Sequence, residues 1–404
     1  MYRTSLLLLI CSTLSFISLA QPASRLSSDL FHQHRGGTNN TMERLYSNSS
    51  LKKEITIAYL GGSITNMNGW RNKVDSFFRA DFPEFKFRFI NAGIPSLGSL
   101  PHSFRLQRDV LDSGRIDLLF LEAAVNDHVN GTDSLTQVRT LEGIIRHARK
   151  SNPYIDIVMM SFADPDKTKD YDEGRIPVEV INHELIATHY NLPSINLAKE
   201  VHDRMRNGEF SWEKDFKDLH PSPFGQQLYF NSIQSLLTLD SLKPIFVLSR
   251  IEPHLLPAPL NPTAFERGKY VAIGKARKDT AWTINPDWTP TDGLNTRKGF
   301  VHVPMLVTTT PGATLKLPFK GTAVGIAIVS GKDAGIIEYS IDKGPFRQID
   351  LFTQWSKSLH LPWYVLFDGS LKRGKHTVQL RVSNNKNPNS SGHAVRIVHF
   401  LVNE

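Results

Sequence analysis

Apolar positions follow two different rhythms along the chain, and the change falls near Lys243. Before it, short continuous apolar runs alternate with longer amphipathic stretches. Ile55 to Leu60 (ITIAYL), Phe85 to Ile90, Ile116 to Leu121 (IDLLFL), Ile155 to Met160 and Ser194 to Asn196 predict strands, the closely apolar ones buried on both faces. Between and after them, Trp70 to Ala80, Leu106 to Leu111, Leu135 to Ala148, Val178 to Tyr190 and Phe224 to Leu239 have helical spacing. Such alternation predicts a parallel sheet with helices on both faces. After Lys243 a Pro-rich stretch (EPHLLPAPLNP) reads as a linker. Short β-type runs follow at Phe300 to Val307, Thr314 to Leu317, Ala323 to Val329, Gly335 to Ser340, Val378 to Val382 and Ala394 to Leu401, punctuated by Gly-Pro, Asp-Gly and Lys-Gly pairs. They predict an all-β sandwich or jelly roll.

The N-terminal region is different. Arg3, an apolar run from Ser5 to Ile17 and small residues at Ser18 and Ala20 form the pattern of a secretory signal peptide cleaved after Ala20. The run is shorter than the roughly 20 apolar residues that span a bilayer. The expected location is therefore secreted or periplasmic. Cys11, the single cysteine, leaves with the signal, so the mature chain forms no disulfide and holds no cysteine-ligated metal. Residues 21–52 are polar and read as a flexible lead-in. The expected division is a signal at 1–20, the lead-in at 21–52, an α/β domain at 53–243, a linker at 244–269 and a β-sandwich at 270–404. The net charge of +8 is spread along the chain and not gathered into basic runs, which argues against a nucleic-acid footprint.

Chemistry-bearing residues collect at the ends of the first three strands and before the last helix of the α/β domain. Ser63 follows the first strand in Gly61-Gly62-Ser63-Ile64-Thr65, Gly93 follows the second in Asn91-Ala92-Gly93, and Asn126 follows the third in Val125-Asn126-Asp127. His220 stands in Asp218-Leu219-His220-Pro221. In an open parallel sheet those strand ends line the crevice where ligands bind. A serine beside a histidine base is an activated nucleophile. The N–H groups of Ser63 and Gly93 and the Asn126 carboxamide are the donors that a tetrahedral oxyanion requires.

In these blocks the chain resembles the SGNH (GDSL-type) hydrolases over about residues 55–235. GGSIT resembles the family's nucleophile block, NAGI and AVND its oxyanion blocks, and DLHP its histidine block. The resemblance implies a three-layer α/β/α flavodoxin-like fold and a Ser63–His220 mechanism, with Ser63, Gly93 and Asn126 as the oxyanion hole and no cofactor or metal. The family places its acid three residues before the histidine, where this chain has Lys217. Asp218, two before, reaches the imidazole if the backbone there is extended. Asp215 and a dyad with a backbone carbonyl on the ring are the other arrangements. No G-x-S-x-G elbow is present, which counts against an α/β-hydrolase.

Other features are read as structural. His183-Glu184 and His189 lack the spacing of a zinc helix. Asp164, Asp166, Asp170 and Asp172 read as a solvated acidic loop without the EF-hand pattern. Arg105 and Asp109 stand at i,i+4 and read as a helix ion pair. The second half resembles the accessory β-sandwich of secreted SGNH carbohydrate esterases. Its Trp282, Trp288, Trp355 and Trp363 read more readily as core than as sugar platforms. Arg267, Lys269, Lys275, Arg277, Lys278, Arg297 and Lys298 make its first part basic, a place to look for attraction to an anionic polysaccharide. The expected function is a secreted serine esterase removing O-acyl groups, first of all acetyl, from an oligo- or polysaccharide, neutral or anionic. A lipase or thioesterase of the same fold and an inactive glycan-binding protein are the alternatives.

Overall fold

The computed structural model describes residues 24–46, 54–246 and 250–404, with side chains up to 238 in the segment ending at 246. The signal-peptide expectation lies outside the described residues. In chain order the first part contains β1 (His32–Gln33), α1 (Asn39–Tyr46), β2 (Glu54–Gly61), α2 (Ser63–Asn66), α3 (Trp70–Asp81), β3 (Lys86–Gly93), α4 (Ser99–Asp109), β4 (Leu118–Glu122), α5 (Ala124–Val129), α6 (Ser134–Ser151), β5 (Asp156–Met160), α7 (Pro165–Asp172), α8 (Val178–His189), β6 (Ser194–Ile195), α9 (Leu197–Arg206) and α10 (Pro223–Phe246).

The sheet order is β1-β6-β5-β4-β2-β3. Every pairing is parallel except the two-residue β1, which joins β6 antiparallel. The order of the parallel strands is that of the flavodoxin-like doubly wound sheet, in which the chain reverses direction across the sheet between β2 and β4. Period-two alternation explains the layers. Ile55, Ile57 and Tyr59 of β2 point into a core shared with α1, α3, α9 and α10. Ala58 and Leu60 point into the opposite core, shared with α4, α6 and α8.

The lead-in differs from expectation. Met42 and Leu45 of α1 are buried in the first core, and Arg44 pairs with Asp117 at the strand bottoms. Residues 24–46 are thus packed, because a few apolar side chains and one buried ion pair anchor an otherwise polar segment. The acidic loop is also different. Asp164 is buried, caps α7 by accepting the Lys167 N–H at 2.8 Å, and pairs with the buried Lys167 ammonium. A capping aspartate followed by proline starts a helix, and here it outweighs the polar composition.

The second part contains β7 (Gly268–Val271), β8 (Arg277–Lys278), β9 (Thr283–Trp288), β10 (Val303–Thr308), β11 (Thr314–Gly321), β12 (Ala323–Ser330), β13 (Ile336–Ile341), β14 (Arg347–Asp350), β15 (Leu361–Asp368), β16 (Gly374–Val382) and β17 (Val395–Asn403). One sheet runs β15-β12-β17-β10-β9 with β7 paired to β17, and the other runs β14-β13-β16-β11-β8. All these pairings are antiparallel. Trp282 and Trp288 are buried, whereas Trp355 is exposed and Trp363 half-buried.

The two parts share a hydrophobic cluster. Leu97 and Phe104 of the α/β part pack with Phe265, Trp288, Phe300 and Tyr364. The Pro-rich segment between them is strapped down: Glu142 accepts the N–H groups of Leu260 and Asn261, and the Phe265 N–H bonds the Arg139 carbonyl at 3.0 Å.

Candidate active site

Ser63 is the first residue of α2, directly beyond the last residues of β2. Glycine at position 62 lets the Asn126 carboxamide stand against the turn, since a Cβ there would lie 2.2 Å from Asn126 Oδ1. The serine is therefore seated against the chain that leaves β4, on the other side of the reversal point. Gly93 closes the third side. It pairs with Gly61 across the β2–β3 ladder, and a Cβ on it would lie 2.4 Å from the backbone N of Asn66. α2 can rest on the end of β3 only because that position has no side chain.

His220 arrives from a distant part of the chain. A π-type turn at Trp212–Phe216 precedes it and Pro221 and α10 follow. Ser222 fastens this loop by donating its hydroxyl to the Asp215 carbonyl and its N–H to the Phe216 carbonyl. Gln226 on α10 accepts the Trp70 N–H at 2.9 Å, tying the histidine-bearing segment to the start of α3. The result is a 2.8 Å hydrogen bond between His220 Nε2 and Ser63 Oγ.

Neither candidate carboxylate reaches the other side of the ring. Asp218 is exposed and makes no hydrogen bond or ion pair with His220 among the described residues. Asp215 Oδ2 accepts the Ser211 N–H at 2.9 Å and so closes its own turn. The expectation for Asp218 assumed extended backbone. Instead Lys217 has a φ of 78° and residues 218–220 bend, so positions two apart do not share a face.

The oxyanion candidates Asn126 and Gly93 both border the turn that carries Ser63, Asn126 against Gly62 and Gly93 against Thr65 and Asn66. Asn126 Nδ2 has no hydrogen-bond partner among the described residues, although the side chain is buried. The Gly93 N–H bonds Asn91 Oδ1 at 2.9 Å, so a substrate oxygen would compete with this carboxamide. Arg105 carries more than the ion pair expected of it. Its fully buried guanidinium bonds Asp109 at 2.9 Å and also donates to the carbonyls of Ala92 and Gly61. The Ala92 carbonyl belongs to the same peptide as the Gly93 N–H. Arg105 therefore holds that peptide plane from behind and increases its polarisation.

Two buried carboxyls flank Asn126. Burial pushes Glu122 and Asp127 each up to about 7. Glu122 accepts the Val125 N–H at 3.1 Å and Asp127 Oδ1 accepts the Ser99 N–H at 2.8 Å. They brace α5 and the start of α4, and neither was singled out in the sequence. A Glu four residues before Asn126 and an Asp directly after it were visible signals, but their burial was not.

A cleft of about 600 Å³ opens beside Gly93, bounded by Asn66 and Asn91 on one side and by residues 296–299 of the β-sandwich on the other. Its lining is mixed: Ala92, Ile94 and Pro95 lie among the polar Asn66, Asn91, Thr296 and Arg297.

Residues 59–228 match the sequence model of the GDSL-like Lipase/Acylhydrolase family. Comparison with curated proteins gives no match. Among solved structures, a two-domain esterase (CEX) active on acetylated mannans, co-crystallised with mannopentaose, is similar at a TM-score of 0.67 and 20% identity. The similarity covers 86% of this chain and 90% of that one. A second structure of that esterase has the same TM-score and identity, over 86% of this chain and 91% of the other. At this identity the likeness is one of fold, and it extends through both parts of the molecule.

Proposed function

We propose, from the match of residues 59–228 to the GDSL-like lipase/acylhydrolase family model, that the protein is a secreted serine esterase removing O-acetyl groups from a glycan. The observation that carries this reading is the 2.8 Å contact between Ser63 Oγ and His220 Nε2 at the point where the sheet reverses.

In the proposed reaction Ser63 Oγ attacks the ester carbonyl while His220 Nε2 takes its proton. Negative charge develops on the carbonyl oxygen. The N–H groups of Gly93 and Ser63 and the free Nδ2 of Asn126 receive it, each such donor contributing about 2.7–4 kcal/mol in the transition state. The intermediate collapses, the C–O bond to the sugar breaks, and the imidazolium returns its proton to the sugar oxygen. Water, deprotonated by the same imidazole, then attacks the acetyl-Ser63 ester; as the bond from the acyl carbon to Ser63 Oγ breaks, the imidazolium returns that proton to Oγ and acetate leaves. The bookkeeping of protons closes on His220 alone, so the arrangement operates as a dyad. The fold shared with the acetylmannan esterase supports a short acyl group on a sugar. Export rests on the signal pattern before Gln21.

The test is turnover of an aryl acetate by the mature chain and by Ser63→Ala. Wild-type hydrolysis with a burst of phenol, abolished in the variant, is expected. Turnover retained by Ser63→Ala would sink the mechanism.

A further inference from the structure

The cleft beside Gly93 has a charge distribution that the hydrolysis of an ester does not require. Among its lining residues Asp109 is the one carboxylate, and both of its oxygens are occupied: Oδ2 by Arg105 at 2.9 Å and Oδ1 by Arg108 at 2.6 Å. The cations on the opposite wall have no such partner. Arg297 makes one side-chain hydrogen bond, from Nη2 to Ser96 Oγ at 3.2 Å, and its Nε is buried without an acceptor. Lys298 is exposed and enters no ion pair among the described residues. The Thr296 hydroxyl beside them is also buried without a partner. Burial holds the Arg297 guanidinium below the usual arginine range, with no acid to offset it.

This wall is built in place. Ser96 adopts a left-handed φ of 73°, and Asn130 Nδ2 fixes its carbonyl at 3.0 Å. Strain of that kind persists where the surroundings over-determine it. It directs the Ser96 hydroxyl from the α/β part to a guanidinium of the β-sandwich. On the other wall Arg108 is fixed by Asp109, by His399 Nε2 at 2.9 Å and by the Tyr270 ring 4.6 Å below. Burial and the nearby Arg108 pull His399 down to about 4, so that it accepts and adds no charge of its own.

We propose that this inter-domain cleft binds an anionic substituent, a carboxylate or a sulfate, on a sugar adjacent to the acylated one, through Arg297 and Lys298. The proposal rests on the esterase reading for its reaction but not for its binding. The cleft volume of about 600 Å³ is that of a small-molecule site, for which about 300–1,000 Å³ is usual. Low-dielectric walls strengthen attraction to a cation left without a partner. A bidentate or forked donor such as Arg297 suits the planar carboxylate of a uronic acid and the oxygens of a sulfate ester alike.

The experiment has separate readouts for the two ideas. Aryl acetate turnover tests the esterase reading. Calorimetric titration with a non-acetylated oligogalacturonide, a sulfated galactan oligosaccharide and a neutral xylo-oligosaccharide tests the cleft whether or not the chain hydrolyses esters. Binding of one anionic oligosaccharide at least about tenfold tighter than the neutral one is expected, weakening as salt is raised. Lys298→Glu, an exposed substitution that leaves packing untouched, and Arg297→Gln should each reduce that preference about tenfold. Which anionic ligand responds distinguishes carboxylate from sulfate. Equal or tighter binding of the neutral ligand, or a preference unchanged within about twofold in Lys298→Glu, overturns the proposal.

Discussion

Replacing Gly93 by alanine tests the geometry of the site at its tightest point. An added Cβ would sit 2.4 Å from Asn66 N, 2.6 Å from Asn66 Cα and 2.8 Å from the Thr65 carbonyl carbon. All three are backbone atoms and cannot rotate away. Carbon atoms rest about 3.5–4.0 Å apart, so α2 and the end of β3 must separate by about 1 Å. Overpacking of this kind costs about 1–3 kcal/mol, which for domains of this size lowers the unfolding midpoint by roughly 2–12 °C. The functional consequence is larger. The displaced helix carries Ser63, and the displaced strand end carries the Gly93 N–H. A misplacement of about 1 Å costs about a hundredfold, and loss of one oxyanion donor costs about 10²–10³ in kcat. The expected result is kcat/KM on an aryl acetate reduced at least about a hundredfold, with a modest fall in thermal stability. Gly274→Ala is the control, since nothing lies within 4 Å of its added Cβ. Gly93→Ala with wild-type turnover and midpoint would refute the packing reasoning. A lowered midpoint with wild-type turnover would refute the oxyanion role alone.

Three further outcomes follow from the site. Asp218→Asn should lower kcat less than about tenfold, because the carboxylate does not touch His220; a loss near 10⁴, as for removal of a triad acid, would show that it does in the working enzyme. Arg105→Lys should lower kcat on the order of tenfold with KM nearly unchanged, since one ammonium cannot serve Asp109 and both the Ala92 and Gly61 carbonyls; a rise in KM alone would place Arg105 in substrate binding instead. The third concerns pH. Asp127 in the fold titrates at about 7, above its unfolded value, so the stability it contributes is present at low pH and is lost as pH rises through 7. Thermal unfolding midpoints of Asp127→Asn relative to wild type should therefore climb between pH 4 and 7, by at most about 1.4 kcal/mol per pH unit, and a flat difference would contradict the assignment.

The parallel sheet was legible because both faces of β2 and β4 are buried, which leaves long unbroken apolar runs. Ser63, Gly93, Asn126 and His220 were legible because each stands beside such a run or before an amphipathic helix. Where side chains serve ion pairs instead of the core, the pattern failed. α9 (LAKEVHDRMR) went unread because Glu200 and Arg204 are buried as a pair, a polar couple in positions where a helix pattern shows apolar residues. β9 and β14 are mostly exposed edge strands whose residues carry little alternation, and β15 opens with Leu-Pro, which obscures a strand start. The role of Arg105 was beyond any local pattern, because the carbonyls it grips come from two strands elsewhere in the chain. The failure at Asp218 has the same root: a single left-handed residue, Lys217, decides where its carboxylate faces.

The placement of β17 has a consequence for biosynthesis. Residues 395–403 pair with β12, β10 and β7 and thus form the spine of their sheet. The strands of the parallel sheet, by contrast, all emerge from the ribosome by residue 195. The α/β half can collapse early during translation, while the other half waits with its strands unzipped until its central strand is released. Nonsense mutations ahead of β17 would therefore yield a folded α/β core bearing a sticky, unfinished appendage, which proteases would meet first.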